Sequence, residues 1–232
     1  MRRVERQWIV MAMLALAMWA SGSHHAGAQT PPSATEVAAY GGLHKAAHDG
    51  DVAAIGRLLA DGADPEARDT NRRTPAHVAA FASHEDAVAA LAKGGADVNA
   101  LDAELYDMVT IAAVADDLAM LKAALAAGND PGLTTSVYDG TALIAAAHLG
   151  HADVVKTLID AGAPLDHINN LGWTALIEAV ILGDGGPRHQ KTVQYLVEAG
   201  ADKTIADRQG VTPLDHAKAR GYGEIIVLLE GF

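Results

Sequence analysis

Histidines and carboxylates are the side chains of this sequence that could do chemistry. The chain has 11 His and 29 Asp and Glu residues but no Cys, so a metal-dependent hydrolase is the enzyme class to consider. His148 and His151 are three residues apart and could share a helix face, but Gly150 breaks the helix between them. No third ligand stands at a matching spacing. The sequence therefore predicts no metal site and no cofactor.

Motifs of the common catalytic classes do not occur either. The sequence contains no H-E-x-x-H, no G-x-S-x-G nucleophile elbow and no G-x-x-x-x-G-K-S/T phosphate loop. The Gly-rich stretch at residues 183–189 follows no strand pattern, and we interpret it as a loop insertion. The protein is predicted not to be an enzyme, and a surface metal-dependent hydrolase is the remote alternative.

The elements that position these side chains are short helices, seen most clearly at residues 139–166. Two amphipathic segments of eight residues lie there on either side of a Gly turn. Isolated helices shorter than roughly 12–15 residues are marginal in water, so the unit must pack against similar units. Its apolar stripe comprises Leu143, Ala146, Val154, Val155, Leu158 and Ile159.

The rest of the chain supplies those similar units as an internal repeat. The start of each helix pair recurs at steps of 33, 33, 34, 33 and 38 residues, at Gly41, Thr74, Asp107, Thr141, Thr174 and Thr212. A period near 33 residues is typical of stacked helical repeats that bury a continuous core between neighbours. The longer last step contains the insertion at residues 183–189.

The repeat motifs resemble those of the ankyrin family. The family pattern T-P-L-H-x-A-A is approached at residues 74–80 (TPAHVAA) and 212–217 (TPLDHA), and its G-A-D ending at residues 62–64, 95–97 and 200–202. The resemblance implies an all-α solenoid of about six helix-turn-helix repeats with short finger loops, spanning residues 41–232. The implied repeats are 41–70, 71–103, 104–137, 138–170, 171–208 and 209–232.

The resemblance also implies a binding surface. Partners of ankyrin-like folds usually meet the finger tips and the concave face formed by the first helix of each pair. Carried over by register, the finger tips include Val137 and Leu171. The predicted partner-binding residues are Arg73, Phe81, Tyr106, Tyr138, His148, Leu149, Trp173, Ile181, Leu182 and Arg220. The alternative for the aromatic members is that their rings pack on the adjacent finger and close the stack.

The N-terminus has the organisation of a secretory signal. Arg2, Arg3 and Arg6 precede a 13-residue apolar run at residues 8–20, and the A-x-A pattern at residues 26–28 predicts cleavage after Ala28. The apolar run is shorter than the roughly 20 residues that span a bilayer, although an uncleaved anchor is the alternative. We therefore expect a periplasmic or secreted protein with no membrane segment after cleavage, in which residues 29–40 form a flexible lead-in.

Net charge restricts the kind of partner. The chain carries a formal charge of −12, and residues 1–28 contribute +2 of it, which leaves −14 beyond them. Such a charge argues against nucleic acid and anionic membrane surfaces, which require a basic footprint. The predicted function is a monomeric, non-catalytic scaffold that binds another protein, with a basic exported protein as a suitable partner. The alternative is an inhibitor, immunity-type or stress-protective protein that acts on an exported enzyme.

Overall fold

The computed structural model describes residues 29–231, and the predicted signal segment lies outside them. Within that range the chain is helical and contains thirteen helices and no strands. None of them is long and apolar enough to cross a membrane. The helices are α1 Ala34–Ala39, α2 Gly42–His48, α3 Val52–Ala60, α4 Pro75–Phe81, α5 Glu85–Lys93, α6 Met108–Val114, α7 Leu118–Ala126, α8 Ala142–Leu149, α9 Ala152–Asp160, α10 Ala175–Ile181, α11 Pro187–Glu198, α12 Pro213–Arg220 and α13 Gly223–Gly231.

Helices α2 to α13 form six antiparallel pairs, which confirms the predicted solenoid. We call the first helix of each pair the inner helix and the second the outer helix. Each inner helix packs on the inner helix of the next pair, and the outer helices pack in the same order. The core between successive pairs is aliphatic and includes Ile55, Leu91, Leu121, Leu158 and Leu196, none of them exposed. Stacking of neighbouring pairs therefore supplies the core that a single pair lacks.

The inner helices begin where the repeat register predicts. A Thr or Asp caps each of the last five, and its side chain accepts a hydrogen bond from the third backbone N–H of the helix. Pro75 and Pro213 occupy the first helical position, where the missing N–H costs nothing. Helix α2 begins at Gly42, and its N-cap residue Gly41 provides no side-chain cap, consistent with its place in the first pair.

The finger loops between pairs share a side-chain cap and are joined to each other. In the finger of residues 102–106, Asp102 Oδ1 accepts from the backbone N–H groups of Glu104 and Tyr106, both at 2.9 Å. Asp69, Asn169 and Asp207 do the same in their fingers. Backbone hydrogen bonds connect successive fingers, from Ala103 N to Asn71 O, Ser136 N to Leu105 O and Asn170 N to Tyr138 O, each 2.9 Å.

Residues 29–40, predicted as a flexible lead-in, contain helix α1, so that prediction is wrong for much of the segment. Ser33 and Glu36 form a capping box, in which Glu36 Oε2 accepts from Ser33 N at 2.8 Å. The same carboxylate accepts from Arg73 Nη1 at 3.0 Å, and Tyr40 Oη donates to Asp69 Oδ2 at 2.7 Å. Contacts with residues 29 and 37 positions later therefore fix this segment to the first finger.

Glu36 gives the α1 contact a defined pH dependence. Hydrogen bonds from Ser33 and the charge of Arg73 lower the pKa of Glu36 from 4.5 to about 2. Because the folded pKa is depressed, the stabilisation is complete above pH 4.5 and is lost as the pH falls towards 2. We expect a ¹³C carboxyl titration to give a midpoint near 2, and the variant Ser33→Ala to raise it. A wild-type midpoint at 4.5 would show that Glu36 forms neither the capping box nor the pair with Arg73.

The insertion at residues 183–189 lies between α10 and α11 and is held on both sides. Its last three residues belong to α11, which has 12 residues where most outer helices have nine. Hydrogen bonds to the preceding repeat run from His189 Nε2 to His148 O (3.0 Å) and from Arg188 Nε to Gly150 O (3.2 Å), and one from the following repeat runs from Tyr222 Oη to Gly183 O (3.0 Å). Within the insertion, His189 Nδ1 contacts Asp184 Oδ1 at 2.9 Å. The insertion is thus tied to the repeats before and after it.

Candidate partner-binding surface

Most histidines of residues 29–231 serve the framework, including His151 but not its candidate partner His148. Most of them contact a backbone carbonyl of a neighbouring repeat: His44 with Arg73 O (3.0 Å), His77 with Tyr106 O (3.0 Å), His84 with His48 O (2.9 Å), His151 with Ala113 O (2.8 Å) and His189 with His148 O (3.0 Å). Among residues 29–231, no group of three or more His, Asp or Glu side chains could hold a metal ion. These contacts assign the imidazoles to the joints between repeats.

His77 shows why such an imidazole is unsuited to acid–base chemistry. It is 1% exposed, its Nε2 faces the carbonyl oxygen of Tyr106, and its Nδ1 accepts from the backbone N–H of Thr74 at 3.2 Å. That arrangement requires the neutral tautomer protonated on Nε2. Burial lowers the pKa of His77, which favours the same neutral form.

Two of the predicted partner-binding residues are buried, contrary to the outward orientation expected of them. Arg73 is 3% exposed, because its guanidinium pairs with Glu36 and Asp69 and stands 5.6 Å from the centre of the Phe81 ring. Tyr106 is 5% exposed and belongs to the hydrophobic core. Both directly precede the residue that caps an inner helix. The burial of the Tyr106 ring agrees with a ring that closes the stack rather than one that faces a partner.

The other eight predicted residues lie at least partly on the surface. Tyr138, His148, Leu149, Leu182 and Arg220 are exposed. Phe81, Trp173 and Ile181 are half-buried. His148, Leu149, Ile181 and Leu182 stand at the C-terminal ends of the adjacent inner helices α8 and α10, so four of the eight lie on neighbouring helix ends.

An apolar row on the finger tips adds a residue that the sequence did not single out. Leu105, Val137, Tyr138 and Leu171 are 41%, 59%, 36% and 40% exposed, and we call them the fingertip row. The backbone bonds between fingers make them neighbours. Leu105 also has a left-handed backbone, with φ of +64°, as do the equivalent residues of the other fingers, Arg72, Asp139, Gly172 and Gly210. A bulky side chain in this conformation is strained, and the turn directs it to the finger tip.

A buried carboxylate lies beside this surface on inner helix α10. Glu178 is 5% exposed, and its Oε1 accepts from Asn169 Nδ2 at 2.7 Å. Its Oε2 is 3.5 Å from Nδ1 of His148, a side chain that is 46% exposed. At the equivalent place in the last repeat, Asp207 Oδ2 pairs with His216 Nε2 at 2.8 Å. Sequence reasoning missed Glu178, although a Glu in an otherwise apolar helix start was a visible signal.

Comparison with known proteins gives relatives of the same architecture. The putative ankyrin repeat protein YahD of Escherichia coli K12 is 36% identical over 185 residues, covering 79% of this chain and 92% of its own. A human ankyrin repeat and SOCS box protein 16 is 33% identical over 74% of this chain but only 38% of its own. The crystal structure of an ankyrin repeat domain from Acinetobacter baumannii AYE superposes with a TM-score of 0.76 at 44% identity, covering 81% of this chain and 95% of that one.

A family model assigns the repeats directly. The model for ankyrin repeats in three copies matches residues 32–102 and 109–207, well over half of the sequence. The matched ranges contain helix α1 and, except for Met108, the helices of the first five pairs. Ankyrin repeats are generally protein–protein interaction modules and are typically non-catalytic. On the evidence of the repeat register, the stacked helix pairs and these matches, the chain belongs to the ankyrin repeat family.

Proposed function

We propose that this protein is a non-catalytic scaffold that binds another protein through the fingertip row and the ends of α8 and α10. The observation behind the proposal is the fingertip row itself, four adjacent and exposed apolar side chains on three fingers. Contiguous exposed apolar groups on a folded protein commonly mark interaction sites. The backbone bonds between the fingers hold these side chains in a fixed order before any partner arrives.

A polar replacement of the row tests this proposal. We expect the triple variant Leu105→Ser, Val137→Ser, Leu171→Ser to weaken partner binding by at least about tenfold, because burial of each aliphatic side chain contributes to affinity. The partner would first be identified by crosslinking and affinity capture with the wild type, then purified. Its dissociation constant would be measured by calorimetry for both proteins.

The matched control changes exposed aliphatic residues away from the row. Val52 on α3 and Val227 on α13 are 41% and 65% exposed, and the double variant Val52→Ser, Val227→Ser should bind the partner as the wild type does. All three proteins should share one melting temperature, since only surface side chains change. If the fingertip variant kept wild-type affinity, the fingers would not be the binding surface.

An exported location is part of the proposal. It is supported by the basic, apolar and small-residue order of residues 1–28. We expect the protein recovered from the periplasmic fraction to begin at residue 29, as determined by intact-mass spectrometry. A deletion of residues 2–28 should leave the protein in the cytoplasm. Periplasmic protein that retains Met1 would contradict cleavage.

An inhibitor or immunity-type role would use the same surface. The net charge of −12 favours this version for a basic enzyme, since opposite charges accelerate encounter. An activity assay of the captured protein, with and without a saturating amount of the scaffold, distinguishes the two roles. If the activity of the captured protein did not change, the inhibitor role would be refuted and the scaffold role would remain.

A further inference from the structure

Glu178 occupies a place at which the three preceding repeats have apolar residues, Val78, Ile111 and Ala145, and the first repeat has Lys45. Glu178 nevertheless has only 7% of its side chain exposed. A buried carboxylate is costly unless a cation or several hydrogen bonds compensate it. The groups that face Glu178 therefore indicate whether the protein itself compensates the buried charge or whether a bound cation must do so.

Only part of that compensation comes from the protein. Asn169 donates one neutral hydrogen bond to Oε1, at 2.7 Å. On the other side, Nδ1 of His148 lies 3.5 Å from Oε2, beyond a good hydrogen bond, and is charged only when protonated. Within residues 29–231 no Lys or Arg forms a salt bridge with Glu178.

Two other finger caps, at the place that Asn169 takes beside Glu178, show what the fold sets against a buried carboxylate. Asp69 pairs with the guanidinium of Arg73, whose side chain is 4% exposed. Asp207 pairs with the imidazole of His216, which is 6% exposed and occupies the place of Glu178 in the last repeat. Each of these buried acids has a buried cationic or titratable partner within nine residues. The fifth repeat has the acid, and its nearest basic group is a half-exposed imidazole on the neighbouring helix.

We propose that Glu178 accepts the cationic side chain, Arg or Lys, of the protein bound on this surface. The cation enters from the solvent side, past His148 between α8 and α10, and pairs with Oε2. The inference deepens the proposed function and rests on it. Charge complementarity supports it, since the chain carries −12 and suits a basic partner. A metal ion is the poorer occupant, because no group of three ligands occurs in the described part of the chain.

Short peptides test the site without the natural partner. The probes are acetyl-Gly-Arg-Gly-amide, acetyl-Gly-Lys-Gly-amide and acetyl-Gly-citrulline-Gly-amide, the last being a neutral isostere of the arginine peptide. We expect the Arg or Lys peptide to cause saturable NMR shifts of the Asn169 side-chain amide and the His148 ring, and the citrulline peptide to bind at least about tenfold more weakly. This comparison uses only the wild type.

The variant Glu178→Gln locates the effect. Its amide oxygen can still accept from Asn169, whereas the charge is removed, so binding of the cationic peptides should fall by at least about tenfold. Glu224→Gln on α13 removes the same charge at an exposed site and should leave binding unchanged. Equal binding of the Arg and citrulline peptides, or of both variants, would overturn the proposal, as would the absence of any peptide binding.

The outcome is separable from that of the proposed function. If the fingertip variant does not bind the partner and the wild type binds none of the three peptides, the scaffold proposal is supported and the cation site is refuted. If the wild type binds the Arg peptide but the fingertip variant still binds its partner, the cation site is supported and the role of the fingertip row is refuted.

Discussion

Replacement of Leu158 with alanine is expected to lower the free energy of unfolding by about 2–5 kcal/mol. Leu158 lies on α9, is not exposed at all and packs in the core between the fourth pair and its neighbours. Truncation removes apolar surface from the core and leaves a cavity that the close-packed helices can only partly fill. Urea unfolding followed by circular dichroism measures the change.

Leu58 provides the matched control at the equivalent place in the first repeat. Because the first pair has a neighbour on one side only, Leu58 is half-buried where Leu158 is fully buried. The variant Leu58→Ala should therefore cost clearly less than Leu158→Ala. Equal losses at the two sites would mean that stacking on both faces does not set the stability of a repeat.

Replacement of Gly183 with alanine is expected to destabilise the protein by about 1–3 kcal/mol, the usual cost of overpacking. A Cβ at this residue would overlap the carbonyl oxygen of Ala179 and lie 2.7 Å from the ring of His189. The insertion would have to shift, and with it the bonds from His189 to His148 and from Tyr222 to Gly183. Differential scanning calorimetry would report a lower melting temperature.

The control for Gly183 is another glycine to which alanine brings no clash. Gly56 lies inside helix α3, and a Cβ there would meet nothing within 4 Å. Since Ala is the better helix former, Gly56→Ala should raise the stability by about 0.5–1 kcal/mol. A Gly183→Ala protein as stable as the wild type would show that the insertion adapts without cost.

The helical framework could be predicted because its signals are local. A capping Thr or Asp, a following Pro and an apolar stripe each act within one or two turns, and the register of six starts sufficed to place the pairs. The same register located the insertion at residues 183–189. The packing of this insertion on the neighbouring repeats could not be predicted from the sequence, because it depends on contacts with His148 and Tyr222, each more than 30 residues away along the chain.

The binding surface was less predictable because exposure depends on distant contacts. Arg73 fits the profile of an interface anchor, but Glu36, 37 residues earlier, pairs with it and buries it. Helix α1 was not predicted because its position also depends on distant contacts. A six-residue segment with a capping box does not by itself indicate that it docks on the first finger. Leu105 is exposed because its finger turns through a left-handed residue, a conformation that Leu does not favour.

The bonds between successive fingers bear on the entropy of association. Three backbone hydrogen bonds of 2.9 Å join the fingers from Asn71 to Asn170, so the loops cannot fluctuate independently. Binding to a flexible surface loses conformational entropy because its loops must become ordered, whereas these loops are already ordered when the protein folds. The fingers therefore present their side chains at a fixed spacing of one repeat. A partner that matches this spacing gains affinity with each added contact, and one that does not match cannot be accommodated by loop rearrangement.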